Sequence, residues 1–388
     1  MQTKPTLSVA PDDVSGVIRV AVIGAGLAGA SCGRGLGSAD AQVTVFERSR
    51  HVGGRMATRQ ATWPDDAGTV RSATFDHGAQ CFTAVRPRFR AFMARVVADG
   101  RAARWQPMVH SSRSAASEQC FVPVPTAPAL CGGLLAGATL HLERTVRRLQ
   151  RGADGAWYVA SDEAPLAGPF QHVVLAVPPA QAAVLLAGHQ DRWAAALMAR
   201  RMDACWTLMA VTDDVVWPWD AAEPDRGPLA WVARNDRVPG RSAPPGVAVW
   251  TAHSTAEWGA GRLDAEPQAV SLELQAALRA QLPVGDRSGR PWRWHHASVH
   301  RWSHAGPALG CDSFDGTDAW WDDSLGLGVC GDWLGGGGVE AAWHSGDELA
   351  DAMAASFERS GAARLAALVI RQSHSSSVSP ADDHLVTG

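Results

Sequence analysis

The first long apolar run of the chain is VIRVAVIG, residues 17–24. It has strand length and no polar alternation, as expected for a strand buried on both faces. GAGLAGASCGRGLGS follows with helical spacing at Leu27, Ala30 and Arg34, and QVTVFE (42–47) supplies a second strand. Together they predict a βαβ opening. FQHVVLAVP (170–178) is another buried strand, stopped by Pro178 and Pro179. Late in the chain SLGLGVCGDW reads as a returning strand, and GVEAAWHSGDELADAMAASFERS (338–360) as the closing helix.

The remaining pattern is more broken. TWPDDAGTVRS (62–72) reads as a polar loop, residues 86–100 as a helix, and 105–137, rich in Ser, Pro and Gly, as irregular. TLHLERTVRRLQ, RGADG and AWYVAS (139–161) predict a hairpin with an Asp-Gly turn. Within 181–318, WTLMAV, PLAWVAR and VAVWTAH read as short strands, with a helix near 266–282. The expected fold is α/β: a Rossmann-like cofactor domain and a second α+β domain with an antiparallel sheet. The cofactor domain is assigned to 17–80, 139–180 and 319–360, and the substrate domain to 81–138 and 181–318. Residues 1–16 and 372–388 are expected to be disordered.

Composition narrows the class. A chain of 388 residues suggests two domains, and 46% hydrophobic with 19% charged residues is globular composition. A net charge of −4 without a basic block argues against nucleic acid. No apolar run reaches spanning length, so no membrane segment is expected, and the first residues lack the apolar core of a signal peptide. Seven scattered cysteines with no CxxC pair suit a reducing cytoplasm and no metal site. Two counts bear on chemistry: Lys4 is the only lysine, and there are 17 tryptophans against one tyrosine.

Gly24, Gly26 and Gly29 fit the dinucleotide fingerprint, placed after a strand and opening a helix. The first glycine makes the turn, the second admits a pyrophosphate and the third packs helix on strand. Leu27 and Ala28 lie in the first helical turn, whose N–H groups favour an anion. Glu47 ends the second strand, where an acid binds ribose hydroxyls. The run from Glu47 and Arg48 to Gly53, Gly54, Arg55 and Met56 resembles the flavin signature of glutathione-reductase-like proteins. It favours FAD over NAD as resident cofactor. Gly78, Ala79 and Gln80 are further cofactor candidates. Gly331 and Asp332 are expected at the ribityl hydroxyls, with Gly338 and Val339 opening a helix toward the flavin pyrimidine edge. Cys330 reads as core, so the FAD is expected to be non-covalent.

The blocks VAVIGAGLAGASCGRGL, HVGGRMATR, TFDHGAQCFT, WVARN, TAHSTAEW, HRWSHA and LGVCGDWLGGGGVEAAWHSG resemble, in order and spacing, the renalase-like FAD-dependent oxidoreductases of bacteria. The resemblance covers about residues 18–358. It implies a p-hydroxybenzoate-hydroxylase-like fold. It also implies oxidation of aberrant 2- or 6-dihydro-NAD(P) isomers, with O2 as acceptor and H2O2 as product. Cys81, the segment Pro125-Thr126-Ala127-Pro128, His304 and Gly337 depart from the family pattern.

The alternative is an amine or other small-molecule oxidase on the same fold. Such amine oxidases usually place a lysine by the flavin, and the only lysine here is Lys4, in the leader. A dihydropyridine needs no base, because loss of hydride leaves an aromatic ring with no proton to remove. The site then needs stacking walls and a few hydrogen-bonding groups. Asn235 is the candidate for the carboxamide, or a turn cap; His253 is a candidate hydrogen-bonding group, or a core histidine. Trp302 and Trp258 are candidate walls, or core.

Overall fold

The computed structural model describes residues 17–112, 119–286, 288–308 and 316–375, with side chains through residue 360. Along the chain, β1 (Arg19–Ile23), α1 (Leu27–Ser38) and β2 (Gln42–Phe46) form the opening unit. β3 (Thr58–Pro64) and β4 (Val70–Asp76) follow, then α2 (Pro87–Ala98). β5 (Ala102–Trp105), β6 (Val109–His110), β7 (Cys120–Pro123), α3 (Ala129–Leu134) and β8 (Thr139–His141) come next. β9 (Val146–Arg151), β10 (Trp157–Ser161), β11 (Ala167–Phe170) and β12 (His172–Leu175) lead to α4 (Pro179–Leu186) and α5 (Asp191–Met198). β13 (Met202–Asp213), β14 (Ala221–Ala222), β15 (Leu229–Arg234) and β16 (Val247–Ser254) precede α6 (Ala256–Ala260) and α7 (Pro267–Arg279). The chain closes with β17 (Trp294–Pro307), β18 (Ala319–Asp322), β19 (Leu327–Cys330) and α8 (Gly338–Ser375).

The apolar β1 sits inside a six-stranded sheet of order β18-β19-β12-β1-β2-β8, parallel except for β18. Side chains alternate across its strands. Val20, Val22, Val43 and Val45 meet α1 and α8 through Leu36, Leu349 and Met353. Ala21, Ile23, Val173 and Leu175 meet the three-stranded sheet β9–β11 and helix α4 through Trp157 and Leu186. The first helix lies close on the last: a β-carbon added to Gly346 would fall 2.0 Å from Ala28 O. This is a mixed α/β fold with a Rossmann-like half, as the opening pattern predicts.

A second six-stranded sheet has the order β17-β13-β16-β15-β14-β6, antiparallel except between β6 and β14. One face, with Leu208, Ala210, Trp250 and Ala252, packs on Val270, Leu274 and Leu278 of α7. The other face packs through Met209, Val211 and Val249 on Trp63, Ala73 and Phe75.

Four expectations are corrected. Residues 62–72 are no loop but the heart of the β3–β4 hairpin. The Asp65 carboxylate accepts the N–H groups of Ala67 at 3.0 Å and Thr69 at 2.8 Å, which closes the turn. Among the described residues of 105–137 there is more regular structure than the composition suggests, because β5 pairs with β7 and α3 follows, while 113–118 lie outside the described residues. Within 139–161, Thr139–His141 pairs with β2 in the central sheet, and only β9 and β10 make the hairpin. Helix α8 runs through Ser375, so residues 372–375 are helical, while 376–388 and 1–16 lie outside the described residues.

Candidate active site

Three glycine-rich segments meet above the central sheet. Gly24 turns the chain out of β1 with φ +105°, and a β-carbon there would lie 2.4 Å from Ala176 O. A β-carbon on Gly29 would sit 2.1 Å from Gly24 O, so α1 packs directly on its own entry turn. Gly26 is different: nothing lies within 4 Å of where its β-carbon would be. It precedes α1 without a side-chain cap, and the first turn holds no acid. The N–H groups of Leu27 and Ala28 therefore open an anion-favouring helix terminus.

The second segment crosses this one. Gly26 bridges Gly53, whose N–H donates to Ala25 O at 2.8 Å. A β-carbon on Gly54 would come within 3.2 Å of Gly26 Cα. Glu47 is buried; one carboxylate oxygen accepts from Ala25 N at 2.9 Å and the other from Ser49 N at 2.8 Å. Each oxygen keeps a lone pair. Arg48 is exposed beside this junction, and Met56 is core.

The third segment comes from β19. The Arg55 guanidinium grips the buried Asp332 carboxylate at 2.9 and 2.5 Å and donates to Ala305 O at 3.0 Å. Gly331 N–H donates to Ser345 Oγ at 2.8 Å, and Gly335 and Gly337 N–H both donate to Asp332 O. The glycines after Trp333 wrap tightly around one acid. Gly336 and Gly338 have φ of +87° and +90°, and nothing lies within 4 Å of their missing β-carbons. Val339 follows in the first turn of α8 and packs at the edge of the core. Cys330 is fully buried.

A fourth strip, 77–80, joins this junction to the second sheet. His77 N–H donates to Ala57 O and Ala79 N–H to Arg55 O. A β-carbon on Gly78 would lie 1.8 Å from Arg55 O, so the two backbones touch. Gln80 is engaged at both amide atoms: its Nε2 donates to Asp76 O at 3.2 Å, and its Oε1 accepts from Trp231 Nε1 at 2.5 Å. The side chain ties this strip to β15.

The inner face of the second sheet meets His77. Its carbonyl accepts Thr207 Oγ1 at 3.0 Å and Trp302 Nε1 at 2.9 Å, and the His253 ring lies near the same backbone. The ladder explains the convergence: Thr207 lies opposite both His253 and His300, and Cys205 opposite Trp302. The His77 and Trp302 rings stack at 5.1 Å, and His300 meets them edge-on at 4.9 and 4.4 Å. His77 Nδ1 and His253 Nε2 are buried without a partner. Burial pushes His77 down to about 3, aided by repulsion from a protonated His300 and from Arg59, and pushes His253 to about 4. His300 falls to about 4 through burial and Arg59. The wall is thus aromatic and, at neutral pH, made of uncharged imidazoles.

Among the predicted substrate residues, His253 and Trp302 are brought together here. Trp258 is not: it packs behind the sheet on the α7 side, under Arg262 at 4.1 Å. It belongs to the short helix α6, which follows Ser254 onto that face. Asn235 is buried between strands. Its Oδ1 accepts from Asp76 N at 3.0 Å and Thr251 Oγ1 at 3.4 Å, and its Nδ2 donates to Thr74 O at 2.8 Å. That amide holds β4 against β16 and is not presented to a ligand. Sequence reasoning missed His77 and His300, while Arg59, with Arg55, already reads in the sequence as a residue that could meet substrate phosphates. Alternation along β17, with His300 and Trp302 two apart, was the available signal for one of them.

The residues fit a dinucleotide cofactor: Gly26 leaves open space before an uncapped helix terminus, and Gly336 and Gly338 leave open space before the last helix. The NAD(P)-binding Rossmann-like domain family matches residues 22–96, the part of the chain that holds the first two glycine-rich segments. More particularly, the whole fold is that of flavin-oxidase-like structures. A structure named for protoporphyrinogen oxidase, from Exiguobacterium sp. 255-15, superposes with a TM-score of 0.61 at 12% identity, covering 87% of this chain and 98% of the other. Wild-type putrescine oxidase bound to putrescine gives 0.58 at 12% identity, covering 87% and 100%. An oxidoreductase from Methanosarcina mazei gives 0.55 at 14% identity, covering 86% and 100%. No helix among the described residues is long and apolar enough to cross a membrane.

Proposed function

We propose that the chain is an FAD-dependent oxidase that takes hydride from aberrant 2- or 6-dihydro-NAD(P) isomers. Bound FAD would accept the hydride and pass the electrons to O2, giving H2O2 and NAD(P)+. Gly24, Gly26, Gly29, Glu47, Gly54, Arg55, Asp332 and Gly338 would hold the FAD. Residues 17–80, 139–180 and 319–360 form its domain in this reading, and 81–138 with 181–318 the substrate domain.

The observation that carries the reading is the wall around the His77 carbonyl. Trp302 and His77 supply stacking surfaces, and His253 supplies a ring nitrogen without a partner. These groups can orient a planar ring and its amide, and Trp302 helps keep water from one side. Neutral imidazoles with lowered pKa are weak bases. Oxidation of a dihydropyridine asks for no base, since aromatisation leaves no proton behind. Oxygen uptake tests the proposal: the dihydro isomers should consume O2 and yield one H2O2 each. Peroxide and ammonia from a simple amine, with the isomers inert, would replace it.

A further inference from the structure

Arg59 lies on β3, on the strand leading away from the glycine-rich junction. Its Nη2 is 3.4 Å from His300 Nδ1. A guanidinium only donates. Nδ1 therefore accepts, and the proton of neutral His300 sits on Nε2.

Nearby arginines are neutralised: Arg55 by Asp332 and Arg241 by Asp76. Arg59 is not. Among the described residues no carboxylate pairs with it, and its partner is an uncharged ring. Charges felt by the adjoining imidazoles are positive: Arg59 acts on His77 and His300, and Arg48 and Arg55 act on His304. Beside Arg59 stands His77, whose Nδ1 is buried and unpartnered. An exposed planar fork without counter-charge, at the rim of an uncharged aromatic wall, is suited to a phosphate oxygen pair.

We propose that Arg59, backed by His300, anchors a phosphate or pyrophosphate group of the substrate, making this a site for anionic, phosphate-bearing substrates. The inference rests on the dihydronicotinamide reading for the ring that is oxidised, and on Arg59 alone for the anion. It makes Arg59 a specificity residue. A phosphate-free dihydronicotinamide riboside should be oxidised without sensing it.

The test uses the holoprotein with its flavin bound. Wild type, Arg59→Met and Arg59→Lys are titrated calorimetrically with inorganic pyrophosphate. Wild type should bind, and more weakly as salt rises. Arg59→Met should bind about tenfold more weakly or worse. Arg59→Lys should fall between, since it keeps charge but loses the fork. In turnover, Arg59→Met should raise KM for the dinucleotide substrate, leave kcat unchanged, and leave the riboside unaffected. No binding to wild type, or equal binding to Arg59→Met, would overturn the assignment. So would loss of flavin from Arg59→Met with pyrophosphate binding intact, because the anion would then be the cofactor's own. If no dihydronicotinamide is oxidised while pyrophosphate binding still follows Arg59, the reaction assigned above falls and the anion site stands.

Discussion

At the scale of single residues, the polar groups divide by whether their partners are other side chains or the ligand space. Asn235 is of the first kind. Replacing it with Ala strands Asp76 N–H and Thr74 C=O in the interior. Each buried orphan costs about 1–3 kcal/mol, so Asn235→Ala should lose on the order of 3 kcal/mol of stability. Urea denaturation reads that loss, while the folded fraction should still be reduced by substrate at the wild-type rate. Asp332 is of both kinds. Asp332→Asn breaks the pair with Arg55, whose side chain is 35% exposed. The expected loss is on the order of 2 kcal/mol, below the about 3–5 kcal/mol of a fully buried pair. Flavin content after dialysis should drop with it; full retention would remove Asp332 from the cofactor site. Glu47 was legible in the sequence because its partners Ala25 and Ser49 lie within one local unit. Asn235 was not, since its partners Thr74 and Asp76 lie some 160 positions away, at separations of 161 and 159.

Among elements, the strip 77–80 fastens the Rossmann-like half to the second sheet. Gly78→Ala would drive a β-carbon into Arg55 O, 1.8 Å away, and the backbone there has no flexible side chain to yield. We expect that variant to lose flavin and to melt early, as differential scanning fluorimetry would show. The histidines between the strip and β16 and β17 set a pH dependence. Their folded pKa values, about 3 for His77 and about 4 for His253 and His300, lie below the ordinary 6.5. Between about pH 6.5 and pH 4 the unfolded chain binds protons that the native one refuses, so stability falls as pH falls through that window. The urea midpoint should follow this slope, and His300→Gln should flatten it. An unchanged slope would mean that His300 titrates normally. Element existence was legible wherever the apolar pattern was clean, as in β1, β2 and β12. The β3–β4 hairpin was hidden because its outward positions and Asp65 turn read as a loop. Its burial comes from Met209, Val211 and Val249, far along the chain.

For the whole molecule, two six-stranded sheets flank a junction of three glycine-rich segments and a wall of imidazoles and indoles. The cofactor half could be read from local motifs, since glycines and an acid at fixed spacing suffice to build it. The wall could not, because it exists only where register sets Thr207 opposite His253 and His300. Trp302, His253 and Arg59 were candidates from the sequence, and the fold sets His77 and His300 among them. The central claim is that this wall presents a dihydropyridine ring for hydride loss. The most direct measurement is anaerobic: the purified holoprotein is mixed in a stopped-flow instrument with 2- or 6-dihydro-NAD(P), with ordinary 4-dihydro-NADH, and with amines including putrescine, and flavin bleaching is followed. Rapid bleaching by the 2- or 6-dihydro isomers alone is the predicted result. Bleaching by an amine, with the isomers inert, would contradict it.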